Sequence, residues 1–151
     1  MSESVHCYVF DIDGTLADCS HRLPFIQTTP KDWRSFFAAV DNDVPIKHMV
    51  NLCFTLLEHG EEIVFVSGRS DECRLQTEAW LRRHVYPIGV LNLYMRREGD
   101  HRADDILKVE LLAQLRADGF EPIMAFDDRT RVVDAWRAAG IPCAQVAPGD
   151  F

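Results

Sequence analysis

Five short apolar runs alternate with four stretches of helical periodicity, and this alternation limits what the chain can fold into. The runs are Val5–Phe10, Ile63–Val66, Val90–Met95, Pro122–Phe126 and Ile141–Val146, and the helices fall near Val44–Gly60, Asp71–His84, Asp104–Gly119 and Thr130–Gly140. Apolar runs bounded by polar turns and separated by amphipathic helices build βαβ units around a parallel sheet. The spacing predicts an α/β fold, a three-layer, doubly wound, Rossmann-like parallel sheet of about five strands. Gly60, Gly119 and Gly140 each follow a periodic stretch, where the glycine that ends a helix belongs. A chain of 151 residues can bury one full core, so 1–151 is expected to form one domain.

Residues 18–43 break the alternation. They carry Pro24, Pro30 and the aromatic residues Phe25, Trp33, Phe36 and Phe37. This is too long for a connection between strand and helix, which usually takes about 2–6 residues. A small helical cap over the end of the sheet is expected, where ligands of doubly wound sheets bind.

Acidic residues outnumber basic ones by 24 to 16, for a formal charge of -8. That balance disfavours a protein that grips long stretches of phosphate backbone, yet leaves room for a site handling one phosphate. No run approaches the ~18 apolar residues of a membrane span. The start Met1-Ser2-Glu3-Ser4 has no basic region, so a cytoplasmic chain without a secretory signal is expected. Cys7, Cys19, Cys53, Cys73 and Cys143 are odd in number and form no C-x-x-C pair, which suits free thiols in a reducing compartment.

Chemistry gathers at the strand ends. The first run leads into Asp11-Ile12-Asp13-Gly14-Thr15-Leu16, two carboxylates at i and i+2. Such a pair repels itself unless a cation or a phosphate-handling role compensates. After the second run comes Ser67-Gly68-Arg69, a hydroxyl and backbone N–H groups suited to phosphate oxygens. After the fourth comes Asp127-Asp128, a second acidic pair suited to Mg²⁺. Asp104 and Lys108 are i, i+4 neighbours on one helix face, so the carboxylate is expected to orient the ammonium. Asp11, Asp13, Asp127 and Asp128 give -4 and Arg22, Arg69 and Lys108 give +3, so one Mg²⁺ leaves the set near +1. That charge suits a phosphomonoester dianion, and the oxygen-rich donors suit Mg²⁺.

The string Asp11-Ile12-Asp13-Gly14-Thr15-Leu16 resembles the haloacid dehalogenase superfamily of aspartate-nucleophile phosphatases. Further strings narrow the likeness: Met95-Arg96-Arg97, Asp100 through Asp105 with Lys108, and Phe126-Asp127-Asp128-Arg129-Thr130 with Val132-Val133 and Trp136-Arg137. Together with the ending Gln145 through Phe151, they look like the 3′-phosphatase domain of phage-type polynucleotide kinase/phosphatase, over nearly the whole chain. The resemblance implies Asp11 as the nucleophile and Asp13 as general acid and base. It also implies Mg²⁺ held by Asp11, the Asp13 carbonyl and Asp127 or Asp128. Phosphate contacts would come from Ser67, Gly68, Arg69, Lys108 and Arg22, with Asp104 positioning Lys108.

Two departures stand out. No G-x-x-x-x-G-K-[ST] is present, so no kinase activity is expected. The segment from Pro30 to Asp43 is longer than its phage counterpart. Three readings follow: a Mg²⁺-dependent 3′-phosphatase of nucleic-acid ends or 3′-nucleotides, a phosphatase of a free metabolite such as a 5′-nucleotide or sugar phosphate, and a non-catalytic partner of a separate kinase or ligase.

Overall fold

The computed structural model describes residues 3–151. Five strands form one parallel sheet: β1 (Val5–Phe10), β4 (Glu62–Ser70), β5 (Asn92–Arg96), β6 (Phe120–Asp127) and β7 (Cys143–Gln145), in the order β5-β4-β1-β6-β7. Two-stranded antiparallel pairing of β2 (Ala17–Asp18) with β3 (Val44–Pro45) forms a second, minimal sheet. The helices are α1 (Trp33–Ala38), α2 (Lys47–Glu58), α3 (Arg74–His84), α4 (Asp104–Ala117) and α5 (Thr130–Ala138). Among the described residues, no helix is long and apolar enough to cross a membrane.

The period-2 pleat of the strands separates two cores. On β1, Tyr8 and Phe10 face one layer while Cys7 and Val9 face the other; β4 divides Ile63 and Phe65 from Val64 and Val66 in the same way. Met49 and Cys53 of α2 and Trp80 and Leu81 of α3 cover the first layer. Leu107, Leu111 and Leu115 of α4 and Val132, Val133 and Trp136 of α5 cover the second. Each fully buried large side chain contributes roughly 1.5–3 kcal/mol, so packing rather than helix propensity holds these helices down.

The expected parallel sheet with helices on both faces is observed. Some boundaries move for local reasons. Val44–Pro45 belongs to β3 rather than to the helix expected from Val44, because proline drives the residue before it into extended backbone. Residues 71–73 form a 3-10 turn ahead of α3, and the strand expected from Val90 begins at Asn92.

The β2–β3 pair clasps the base of the cap. Between the two strands lie a 3-10 turn (Ser20–Ile26), α1 and a second 3-10 turn (Val40–Asn42). Asp32 caps α1, its carboxylate accepting from the Ser35 N–H at 3.0 Å. From β1 the chain winds outward through β4 to β5, then crosses back to β6. The winding direction therefore reverses between β1 and β6, and their carboxyl ends open the crevice where such folds bind ligands.

Candidate active site

The parallel register sets Phe10 beside Phe126, whose rings stack at 4.5 Å, and the Asp11 N–H donates to the Phe126 carbonyl at 3.0 Å. Asp11 and Asp127 thereby leave adjacent strands side by side. Beyond β1 the chain folds into a tight turn in which the N–H groups of Thr15, Leu16 and Ala17 all converge on the Ile12 carbonyl. Gly14 takes φ +82° here, and a Cβ at this position would lie 2.1 Å from Oδ2 of Asp128. Both the backbone conformation and the approach of the carboxylate demand glycine.

Asp11, Asp127 and Asp128 are buried, and each offers an oxygen within 4.8 Å of the others. Lys108, itself buried, donates to Asp11 Oδ1 at 2.8 Å and to Asp127 Oδ2 at 2.7 Å, while Thr15 Oγ1 donates to Asp11 Oδ2 at 2.9 Å. Burial, then the neighbouring Asp127, push the Asp11 carboxyl well above its ordinary value despite Lys108. The same two causes raise Asp128. Burial would by itself lower Lys108, but the carboxylates of Asp11 and Asp127 raise it, so it stays charged. One ammonium does not balance three carboxylates. An all-oxygen donor set with this surplus of negative charge fits a hard divalent cation such as Mg²⁺.

Asp13 faces a second cluster. Its Oδ1 accepts from Arg69 Nη2 at 2.6 Å, Arg69 Nε at 3.0 Å and Arg22 Nη2 at 2.9 Å. Burial alone would raise the Asp13 carboxyl, yet the guanidinium groups of Arg69 and Arg22 hold it below its ordinary value. Behind the arginines lies Asp43, whose side chain has no exposure. It accepts from Arg22 Nε and Nη2, both at 2.8 Å, from Arg69 Nη2 at 2.7 Å, and it meets His21 Nε2 at 2.7 Å. Trp80 Nε1 fixes the Asp43 backbone by donating to its carbonyl at 2.9 Å. Arg69 Nη1 reaches Thr77 Oγ1, and Arg22 Nη1 reaches the Phe36 carbonyl.

Several expectations change in detail. Arg22 and Arg69 enter the site as fully buried groups, with every guanidinium nitrogen engaged by protein, chiefly by Asp13 and Asp43. Asp104 does not orient Lys108. Its oxygens accept from Arg96 and from Arg129 Nη1 at 3.0 Å, while Lys108 turns inward to Asp11 and Asp127 at the carboxyl ends of β1 and β6. The i, i+4 spacing puts both residues on one helix face but does not decide which way a buried ammonium turns. Asp104 instead braces the Ser67–Gly68–Arg69 stretch of β4, where its pairing with β5 shifts register. Arg96 Nε donates to the Gly68 carbonyl at 2.8 Å, and a Cβ on Gly68 would lie 2.8 Å from Asp104 Oδ1. Ser67 is buried within β4, its Oγ accepting from the Arg69 N–H at 3.1 Å.

Asp43, Arg96 and Arg129 carry no role in the sequence pattern: the two arginines stand there only within family-like strings, and Asp43 only as the end of the long segment. Asp43 sits in the polar run Asp41-Asn42-Asp43, which carries no periodic or motif signal.

Comparison with known proteins fits this geometry. The family described as the polynucleotide kinase PNKP phosphatase domain matches residues 5–151. A protein of Autographa californica nuclear polyhedrosis virus named "Putative bifunctional polynucleotide kinase/RNA ligase" is 31% identical over 134 residues, 87% of this chain and 18% of that protein. A chain of the Pnkp1/Rnl/Hen1 RNA repair complex is 28% identical, with a TM-score of 0.82, covering 100% of this chain and 46% of that one. The class C acid phosphatase from Bacillus anthracis, 15% identical with a TM-score of 0.69, shares the fold over 99% of this chain and 68% of its own. The chain thus spans less than half the length of the first two relatives. With the motifs assembled at the switch point of the sheet and the match running from Val5 to the last residue, the chain belongs to the haloacid dehalogenase-type phosphatase domain family of polynucleotide kinase PNKP.

Proposed function

We propose that this chain is a Mg²⁺-dependent phosphomonoesterase that removes the 3′-phosphate from nucleic-acid ends or 3′-nucleotides. One observation carries the reading: Asp11 is buried against Lys108 and two further aspartates, while Asp13, two residues on, is held between two buried guanidinium groups.

In the first half-reaction a carboxylate oxygen of Asp11 attacks phosphorus. The bond from phosphorus to the ester oxygen breaks, and Asp13 delivers its proton to that oxygen, so the alcohol leaves. In the second, Asp13 takes a proton from water as the water oxygen attacks phosphorus. The acyl-phosphate bond breaks, inorganic phosphate departs, and Asp11 is restored. Splitting the displacement replaces one hard step with two easier ones. Mg²⁺, held by Asp11, the Asp13 carbonyl and Asp127 or Asp128, would supply positive charge that lets an anionic nucleophile approach an anionic ester.

The remaining residues bind and orient. Lys108 has three donors and spends two on Asp11 and Asp127, which leaves one for a phosphate oxygen. Ser67 accepts through its oxygen and keeps its hydroxyl proton free to donate. Charge on the transferring group spreads over its equatorial oxygens, where such donors act most strongly. Arg22 and Arg69 position Asp13. A phosphate dianion competes for the same guanidinium groups, and each bond it takes lifts the Asp13 carboxyl towards the protonated form needed to deliver a proton.

The family match supports a nucleic-acid end as the substrate, and the relatives support partners of one kind: a kinase and a ligase working on the same ends, in one assembly or on a longer polypeptide. The test is phosphate release with Mg²⁺ from a 3′-phosphorylated oligonucleotide, a 5′-phosphorylated one, a 3′-nucleotide and a 5′-nucleotide, with Asp11→Asn as the blank. The 3′ substrates are expected to react fastest. Equal or faster release from 5′-nucleotides would keep the mechanism and overturn the substrate.

A further inference from the structure

The cap carries an aromatic surface that the hydrolytic chemistry does not use. Trp33 is 44% exposed, whereas the other two tryptophans, Trp80 and Trp136, are 1% and 3% exposed. Its ring stacks on Phe37 at 5.9 Å and meets Phe36 edge-on at 5.6 Å. Phe36 in turn lies 4.4 Å beneath the Arg22 guanidinium, which reaches Asp13. An unbroken row of side chains therefore leads from Asp13 through Arg22 and Phe36 out to Trp33. Phe25 adds a second exposed ring beside the start of α1, where its carbonyl accepts from the Asp32 N–H at 2.8 Å.

The residues flanking Trp33 in the sequence carry a net positive charge. In a chain of net charge -8, Lys31 and Arg34 flank it on the surface, and neither forms an ion pair among the described residues. The only acidic residue between them, Asp32, turns its carboxylate back onto the Ser35 N–H. The Lys31 ammonium lies 5.6 Å from the Trp33 ring centroid, on a flexible stem that a phosphodiester can draw away. Exposed aromatic rings interleaved with free cations are how proteins hold single-stranded nucleic acid without reading its sequence, by base stacking and backbone attraction.

We propose that Trp33, with Lys31, forms a stacking platform for single-stranded nucleic acid adjoining the phosphorylated 3′ end. The inference rests on the proposed function and deepens it: the cap selects a polynucleotide end over a free mononucleotide. A free mononucleotide has no neighbouring base to place on the ring, and a simple phosphate ester has none at all.

The burial of Trp80 and Trp136 gives a direct readout, since Trp33 is the tryptophan that solvent and ligand reach. The Asp11→Asn chain is titrated with a 3′-phosphorylated oligothymidylate while its tryptophan emission is followed, with binding tracked separately by the anisotropy of a labelled oligonucleotide. Quenching that saturates with binding is expected, and it disappears when Trp33→Phe is added. In the active enzyme, Trp33→Ala is expected to lower the ratio of kcat/KM for the oligonucleotide to that for p-nitrophenyl phosphate by about tenfold. Trp33→Phe recovers most of the ratio, and Lys31→Glu, on an exposed side chain, lowers it without disturbing the fold. Binding without quenching, or an unchanged ratio in both Trp33→Ala and Lys31→Glu, would overturn the platform. If the parent enzyme hydrolyses p-nitrophenyl phosphate but no 3′-phosphorylated end, the substrate reading fails by itself, and the quenching titration still decides the role of Trp33.

Discussion

The Lys108 ammonium lies 2.8 Å from Oδ1 of Asp11, joining residues 97 positions apart in the chain. Among the described residues it is the one cation paired with the acidic cluster, and it is shared with Asp127 at 2.7 Å. Removing one member of a buried ion pair strands the other, which typically costs about 3–5 kcal/mol. Lys108→Met, close in length and uncharged, is expected to lose that much in urea unfolding at neutral pH in EDTA, and less in saturating Mg²⁺. Its kcat is expected to fall by about 10²–10³, the usual effect of deleting one donor to developing charge. Wild-type stability in EDTA would remove Lys108 from the charge balance.

Metal removal should show a pH dependence of defined sign. Asp11 and Asp128 have raised carboxyl groups in the folded protein. The stability they contribute is fully present below the ordinary unfolded carboxyl value and is lost as pH rises through their folded values. A divalent cation binds the ionised forms and offsets that loss. The rise in Tm between EDTA and Mg²⁺ is therefore expected to be small near pH 4 and to grow towards neutrality. A rise that shrinks with increasing pH would contradict a carboxylate-held cation.

At Gly14 two constraints coincide. Left-handed backbone costs an L-residue about 1–2 kcal/mol, and a Cβ would displace the Asp128 carboxylate from 2.1 Å away. Gly14→Ala is expected to lower stability by about that amount, while activity falls much further because the acidic cluster is disturbed. Thermal melts beside phosphate-release rates separate the two effects. An active Gly14→Ala enzyme would mean that Asp128 can move without consequence.

Much of this arrangement is legible in the sequence, for physical reasons. Towards their carboxyl ends β1, β4 and β6 are buried on both faces, so they read as apolar runs, and Asp11 and Asp127 mark where β1 and β6 meet the crevice. Lys108 was legible as a site residue but its partner was not. Helical spacing reports which side chains share a face, and the choice between Asp104 and the Asp11–Asp127 pair is made by tertiary packing. Asp43 was invisible because its role depends on the cap folding back over β4, and no local pattern encodes that.

Asp43 offers the sharpest test of how the cap governs Asp13. Its buried carboxylate shares Arg22 and Arg69 with Asp13 while touching neither Asp11 nor Lys108. Asp43→Asn keeps the shape and removes the charge, so two buried guanidinium groups then face Asp13 alone. Stability is expected to fall by about 3–5 kcal/mol, as for other broken buried pairs. The undivided pull of both arginines also lowers the Asp13 carboxyl further, so the decline in rate with rising pH should set in at lower pH than in the parent enzyme. A purely structural loss would reduce the amount of folded enzyme without moving that profile. In a double-mutant cycle with Arg69→Met, the two losses are expected to be non-additive by roughly 0.5–3 kcal/mol, because each removes the same contact. An unmoved pH profile together with additive losses would leave Asp13 positioned by other groups.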